Sequence, residues 1–385
     1  MIAKIAVPRI LRIGSGALAE TREVLQTLGL HSPLIVTDSH LRKRGLARML
    51  SEHLNPLGQS RIFSDTVSDP TVKTVEAGVD FLKNGDHDCV IGLGGGSSID
   101  TAKAIAVLAV HGGKMRDYKA PHDQSEAGLP IVAIPTTAGS GSEATRFTIV
   151  TDQATEEKML CIGFAYLPQA AIVDFELSFT KPMRLTADTG VDSLTHAIEA
   201  YVSRDANPFA NSFALSAMRT IWTNLPIACF EPGDRAAREA MMFAATQAGI
   251  AFSNSSVALV NGMSRPIGAK FRVPHGMSNA MLLPAVTAYS ISGALDRYAE
   301  CARAMGMVPV NASDETAAAE LVQNLSELTR QLKVPTPAEF GIERRIWEAN
   351  IDSMVRDAIA SGSPANNPRV PSAEEIEELY HAIWG

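Results

Sequence analysis

The chain of 385 residues is poor in cysteine, in surplus positive charge and in long apolar runs, and each shortage excludes something. Its four cysteines, Cys89, Cys161, Cys229 and Cys301, stand about seventy residues apart. No pair has metal-ligand or redox-motif spacing, so they read as reduced and mostly buried. With 34 basic against 42 acidic residues the formal charge is −8, and no excess of Lys or Arg is available to displace counterions from a nucleic acid. The opening MIAKIAVPRILRIGSG has neither the apolar stretch nor the cleavage site of a signal peptide, and a cytoplasmic location is expected. One uncharged stretch, residues 241–264, is long enough to span a bilayer. Thr246, Gln247 and the run Ser253-Asn254-Ser255-Ser256 within it are costly in hydrocarbon, so a buried helix pair near an active site is expected instead, with no membrane partner. There is no internal repeat and no low-complexity tract.

What is present suggests two domains. Short apolar runs at 10–13, 34–36, 90–93, 131–134 and 171–173 alternate with amphipathic stretches at 18–28, 41–54, 72–84 and 101–110. That alternation predicts a parallel sheet covered on both faces by helices. Beyond Pro182 strand-like runs become scarce, and helical periodicity continues at 186–202, 208–224, 234–251, 313–332 and 372–384. The expected organisation is an α/β domain over 1–181 and an all-helical domain over 182–385. Residues 360–370 read as a surface loop before the last helix.

The strongest local signal is VIGLGGGSSIDTAKAIA, residues 90–106. An apolar strand runs into Gly94-Gly95-Gly96 and then a helix beginning near Thr101. Glycines let a ligand approach the backbone, and the following helix N-terminus favours an anion such as a pyrophosphate. The pattern is neither the G-x-G-x-x-G fingerprint nor a Walker A loop. A second polar loop, IPTTAGSGSE at 134–143, offers Thr136, Thr137, Ser140 and Ser142. Two such loops on one sheet point to a nucleotide across the carboxyl ends of the strands. Asp38, closing the strand PLIVTD, can accept from a ribose diol and would repel a 2′-phosphate; capping the next helix is the alternative use of that carboxylate.

In the helical half, Asp192 and His196 are four residues apart, which stacks them on one helix face. A carboxylate and an imidazole so placed can share a divalent cation. Of nine histidines, His196 and His275 alone lie in apolar, glycine-containing stretches; the other seven read as solvated.

Taken together, the strand ending in Asp38, GGGSSID, TTAGSGSE, RLTADTGVDSLTHAIEAY, AFSNSSVALVNGMSRPIG, VPHGMSNAMLLP and ASGSPANNPRVPSAEEI resemble the iron-containing (group III) alcohol dehydrogenase family, in its lactaldehyde reductase and 1,3-propanediol dehydrogenase branch. The resemblance covers nearly the whole chain. It implies a dehydroquinate synthase-like architecture: a Rossmann-like domain binding NAD, and an all-helical catalytic domain binding Fe²⁺ or Zn²⁺. By motif match the metal ligands are Asp192, His196 and His275. The cofactor residues are Asp38, Asp69, Gly95, Gly96, Ser97, Asp100, Thr136, Thr137, Ser140 and Lys158, with Leu177, Thr145 and Phe147 lining the same groove. The fourth metal position, a histidine in the family, is Asn261 here, and a second family histidine is Arg265. A neutral amide oxygen holds Fe²⁺ or Zn²⁺ less well than imidazole, so a weakened or water-completed site is expected.

The implied activity is hydride transfer between nicotinamide and a small primary alcohol or aldehyde. Arg265 cannot act as a base and would instead orient an anionic substrate group. With Lys270 and Arg272 it would form a basic group favouring an anionic aldehyde, unless those two face solvent. A homodimer or larger homo-oligomer is expected, with an edge strand over 1–7 able to pair between subunits. The alternatives are a nucleotide binder with a degraded metal site and a lyase of the dehydroquinate synthase-like class.

Overall fold

The computed structural model describes residues 2–155 and 157–385. It divides into two compact units, one of residues 4–181 and one of residues 182–385 with the extreme N-terminus. In the first unit the strands are β1 (Ile10–Ile13), β2 (Pro33–Asp38), β3 (Arg61–Thr66), β4 (Cys89–Gly94), β5 (Ile131–Pro135), β6 (Phe147–Asp152), β7 (Glu157–Ile162) and β8 (Ala170–Val173). Six of them form a sheet in the order β3-β2-β4-β5-β8-β1, parallel throughout, while β6 and β7 pair as a separate antiparallel ribbon. The helices are α1 (Thr21–Leu28), α2 (Ser39–Lys43), α3 (Leu46–Leu54), α4 (Val72–Lys83) and α5 (Gly96–His111).

The period of two along each strand builds two cores. Leu34, Val36, Val90 and Ile131 face Val75 and Val79 of α4 and Ala102 and Ile105 of α5. Ile35, Ile91, Leu93, Val132 and Ile134 face Val24 and Leu25 of α1 and Leu50 and Leu54 of α3. Strands buried on both sides read as unbroken apolar runs, which is why β2, β4, β5 and β8 are legible in sequence. Edge strand β3, with Arg61 and Asp65, and the β6–β7 ribbon carry polar residues and give no such run.

Two expectations about the sheet unit need correction. The 41–54 stretch is two helices, because Gly45 takes a left-handed conformation (φ 84°) between them. Helix α5 starts at Gly96, five residues ahead of the expected Thr101, so the glycine run carries the chain from the end of the strand through the N-cap into the first helical residue. Within this chain residues 2–7, expected to pair between subunits, have no strand partner; the first one is gained at Ile10, through β8, and Met1 lies outside the described residues.

The second unit contains α6 (Met183–Val202), α7 (Pro208–Phe230), α8 (Arg235–Ser253), α9 (Leu259–Phe271), α10 (His275–Ser290), α11 (Leu295–Ala304), α12 (Asp314–Gln331), α13 (Arg344–Ala360) and α14 (Ala373–Ala382). Helix α6 is buried along most of its length and packs on α7, α8 and α10. Two glycines permit this. A Cβ at Gly190 would meet Leu225 Cδ1 at 2.2 Å, and one at Gly276 would meet the Asp188 carbonyl oxygen at 2.5 Å. The uncharged 241–264 stretch is the end of α8 and the start of α9, and no helix among the described residues is long and apolar enough to cross a membrane. The 360–370 segment is a surface loop only in part: Gly362, Ala365 and Val370 are exposed, but its middle is anchored in the fold. Ser363, Pro364 and Asn367 are buried, and Pro364 packs so tightly on α9 that a Cβ at Gly262 would lie 2.8 Å from its Cδ.

Candidate functional site

In the sheet unit, the chain leaves β2 toward β3 on one side and leaves β4 toward β5 on the other. The carboxyl ends of β2 and β4 therefore flank the point where strand order reverses, the place where open α/β sheets bind nucleotides. Asp38 ends β2 and Gly94 ends β4. The Asp38 carboxylate also caps α2, accepting from Leu41 N at 2.8 Å, so both of its expected uses are compatible with its position. Gly94 has φ 150°, a conformation side chains rarely adopt, and a Cβ there would lie 2.5 Å from Ser98 Oγ. Gly95 is the N-cap of α5, and Ser98 and Ile99 donate to its carbonyl. The N–H groups of Gly96 and Ser97 thus precede the first intrahelical bond, as an anion site requires.

The second loop lies against the first. Thr136 N donates to Gly94 O at 2.9 Å, and Thr136 Oγ1 is buried with no hydrogen-bond partner among the described residues. Thr137 and Ser140 line the glycine turn: Cβ atoms placed on Gly95 and Gly96 would stand 3.5 Å from Thr137 Oγ1 and 2.8 Å from Ser140 Oγ. Lys158 on β7 donates to Asp69 Oδ1 at 2.8 Å, and Asp69 holds the left-handed conformation at φ 56°. Leu177 packs on the core between the sheet and α1 and α3.

Asp100 does not face this loop opening. Its Oδ1 accepts from Ser142 Oγ at 2.5 Å and its Oδ2 from Ile149 N at 3.0 Å. Both oxygens are engaged inside the fold, and burial raises its pKa against the pull of Lys103. The residue sequence reasoning missed is Lys103 itself, one turn further along α5 and fully buried. Its ammonium donates to Thr145 O (2.9 Å), Thr145 Oγ1 (3.0 Å) and Phe147 O (2.8 Å). Thr145 and Phe147 are thereby held from behind. A charged residue inside the apolar run AKAIAVLAV was the available signal.

In the helical unit, Asp192, His196 and His275 do converge. One ligand atom from each lies within 4.8 Å of the others. His196 Nε2 and His275 Nε2 stand 3.6 Å and 3.8 Å from Asp192 Oδ1. Helical spacing places the first two, and the absence of a side chain at Gly276 brings the start of α10, hence His275, onto α6. The Phe252 ring lies 4.4 Å from that of His196 and shields it from water. Burial lowers the His196 pKa, against Asp192 and Asn261, which keeps the imidazole neutral with a lone pair to offer. His196 Nδ1 is buried without a hydrogen-bond partner among the described residues. One carboxylate and two imidazoles converge, Asp192 and His196 buried and His275 half-buried, and form a donor set suited to a divalent cation. Of the other seven histidines, His53, His87 and His111 are half-covered, as His275 is, and the rest are exposed.

Asn261 lies beside this cluster in the first turn of α9, its Nδ2 donating to Glu199 Oε2 at 2.7 Å. Arg265, one turn on, is buried and donates to Ser363 Oγ at 3.2 Å. Burial pulls its pKa down to about 10, opposed by Glu199, so it stays charged at neutral pH. The three basic residues do not form one group: Lys270 pairs with Asp357 and Arg272 is exposed at the left-handed end of α9. Sequence reasoning also missed Glu199 and Asn279, although each had a signal in its spacing: Glu199 is seven residues after Asp192, and Asn279 four after His275.

A parallel sheet with a glycine-rich turn at its switch point, followed by a helical unit with a carboxylate–imidazole cluster, defines the class of two-domain, nucleotide- and metal-dependent proteins. The chain belongs to the iron-containing alcohol dehydrogenase family: residues 8–175 match the model of iron-containing alcohol dehydrogenases and residues 186–384 that of the family's C-terminal domain. It is 36% identical to the NAD-dependent methanol dehydrogenase of Bacillus methanolicus, with 97% of each chain covered. It is 32% identical to the lactaldehyde reductase of Escherichia coli (strain K12), covering 96% of this chain and 97% of that one. The crystal structure of a 1,3-propanediol oxidoreductase superposes with a TM-score of 0.94 at 32% identity over the whole of both chains.

Proposed function

We propose that this chain is a metal-dependent NAD(H) alcohol dehydrogenase or aldehyde reductase acting on small primary alcohols and aldehydes, in the cytoplasm and as a homodimer or larger assembly. The observation that carries the proposal is the convergence of buried Asp192 and His196 with the half-buried His275. The short substrates in the relatives' names support the substrate class. When bound, the cation would act as a Lewis acid on the substrate oxygen and the nicotinamide would give or take the hydride.

The residues of this chain do the rest. Residues 1–181 bind the dinucleotide: the N–H groups of Gly96 and Ser97 and the hydroxyls of Thr136, Thr137 and Ser140 receive its phosphates, and Asp38 holds a ribose diol and repels a 2′-phosphate. Asp69 positions the Lys158 ammonium on the ribbon. Residues 182–385 hold the cation on Asp192, His196 and His275, with Phe252 excluding water. Arg265 supplies a fixed positive charge beside the centre and takes no part as a base.

The test is NADH oxidation with a panel of short aldehydes, comparing chelator-stripped protein with the same protein given Fe²⁺ or Zn²⁺ without oxygen. Metal-restored turnover is expected. Silence of the native chain with every metal, alongside turnover by Asn261→His, would replace this reading with that of a nucleotide binder.

A further inference from the structure

Asp192, His196 and Glu199 occupy positions i, i+4 and i+7 of α6 and leave it on one face. Glu199 is 3% exposed. Its Oε1 accepts from Val260 N at 2.6 Å, and its Oε2 accepts from Ala258 N at 2.8 Å and from Asn261 Nδ2 at 2.7 Å. Ala258, at the N-cap of α9, has no side chain able to cap that helix. The carboxylate of Glu199 caps it from outside, where the helix dipole favours an anion.

This arrangement decides the chemistry of Asn261. A carboxylate oxygen only accepts, so the amide must present its nitrogen to Glu199 and its carbonyl oxygen to the opposite side. There, Asn261 Oδ1 lies 3.4 Å from Asn279 Nδ2. The same nitrogen is 2.6 Å from Asp192 Oδ1 and 3.4 Å from His275 Nε2. Three electron-pair donors from α6, α9 and α10 therefore surround a single N–H₂ group, the kind of point that a cation can also occupy.

We propose that Glu199 is a positioning residue that fixes the Asn261 carbonyl oxygen as the fourth donor of the centre, giving it two oxygens (Asp192, Asn261) and two imidazole nitrogens (His196, His275). The proposal rests on the assignment of Asp192, His196 and His275 as ligands. Its consequence is selectivity. Imidazole suits zinc, whereas carboxylate and carbonyl oxygens suit manganese and magnesium, so an amide oxygen in place of an imidazole moves the centre's preference from Zn²⁺ toward Mn²⁺.

Metal binding by the chelator-stripped full chain tests this without any turnover. Mn²⁺ is followed by loss of the free-ion paramagnetic resonance signal and Zn²⁺ by competition with a chromogenic chelator. The proteins are the native chain and its Glu199→Gln, Asn261→Ala, Asn261→His and His275→Ala variants, each checked for native helicity. Glu199→Gln is expected to weaken Mn²⁺ binding about 10–100-fold, as loss of an outer partner to a ligand does. Asn261→Ala leaves the two backbone bonds of Glu199 available, so it removes the oxygen without uncapping α9, and is expected to weaken Mn²⁺ binding at least as much. Asn261→His is expected to raise the ratio of Zn²⁺ to Mn²⁺ affinity. Native Mn²⁺ affinity in Asn261→Ala, with binding lost in His275→Ala, overturns this proposal and leaves the three-ligand centre standing. Native affinity in His275→Ala as well overturns the ligand assignment itself.

Discussion

Lys103→Met is the sharpest test of how the nucleotide unit is held together. The lysine is fully buried, and its ammonium makes three hydrogen bonds, two of them to backbone carbonyls of residues 145 and 147. It also neutralises Asp100 and Glu143. Methionine matches the length of the apolar stem, so packing is retained while the charge and the donors go. Removing one partner of a buried charge network costs about 3–5 kcal/mol, because the remaining acceptors and carboxylates stay buried and unpaired. For a unit of this size that corresponds to a fall in the melting temperature of roughly 6–20 °C. Calorimetry of the full chain reads this as a downward shift of the transition that bound NADH protects. A shift below about 2 °C would show that the network contributes no net stability, and would refute the reasoning. The pH dependence gives a second readout. Burial, opposed by Asp100 and Glu143, lowers the Lys103 pKa to about 8 from the ordinary 10.5. Between those values the unfolded chain binds the proton and the folded chain does not, so this group makes stability rise with pH across that window. The methionine variant should lack that rise.

Three further outcomes follow from positions already described. Gly94→Ala places a Cβ 2.5 Å from Ser98 Oγ at φ 150°, and is expected to cost about 1–3 kcal/mol of stability and to abolish NADH binding measured by fluorescence titration. Asp38→Asn keeps an oxygen for the bond from Leu41 N, so the melting temperature should hold, while removal of the charge should raise the ratio of NADPH to NADH affinity by at least about tenfold. An unchanged ratio would mean that Asp38 serves only as a helix cap. Gly276→Ala drives a Cβ to 2.5 Å from the Asp188 carbonyl, and is expected to cost about 1–3 kcal/mol and to weaken metal binding by moving His275 off α6. Metal affinity unchanged in a protein of native helicity would refute that placement.

Much of the fold is legible in the sequence because burial imposes a period. Strands covered on both faces must be apolar at every position, so β2, β4, β5 and β8 can be read directly, and α6, α8 and α12 show their apolar stripes. Edge strand β3 and the β6–β7 ribbon face less core and keep polar residues, and α9 and α10 each carry an internal proline (Pro266, Pro284), which reads in sequence as a helix breaker. The stacking of Asp192 and His196 is a local property of any helix.

The remainder was decided by tertiary packing. That His275 meets a pair on α6 some eighty residues earlier depends on how closely two helices approach at Gly276. That Asp100 turns inward, toward Ser142 and Ile149, depends on the loop that folds over α5. The Asn261 amide has no preferred orientation of its own; it acquires one only because the Glu199 carboxylate arrives from another helix with lone pairs and no proton to offer. Sequence by itself determined the layers, the glycine turn and the local pairs, since these follow from periodicity and backbone sterics within a few residues. Which polar atoms face one another across helices was left to the tertiary structure, because that choice rests on side-chain contacts between segments that periodicity does not relate.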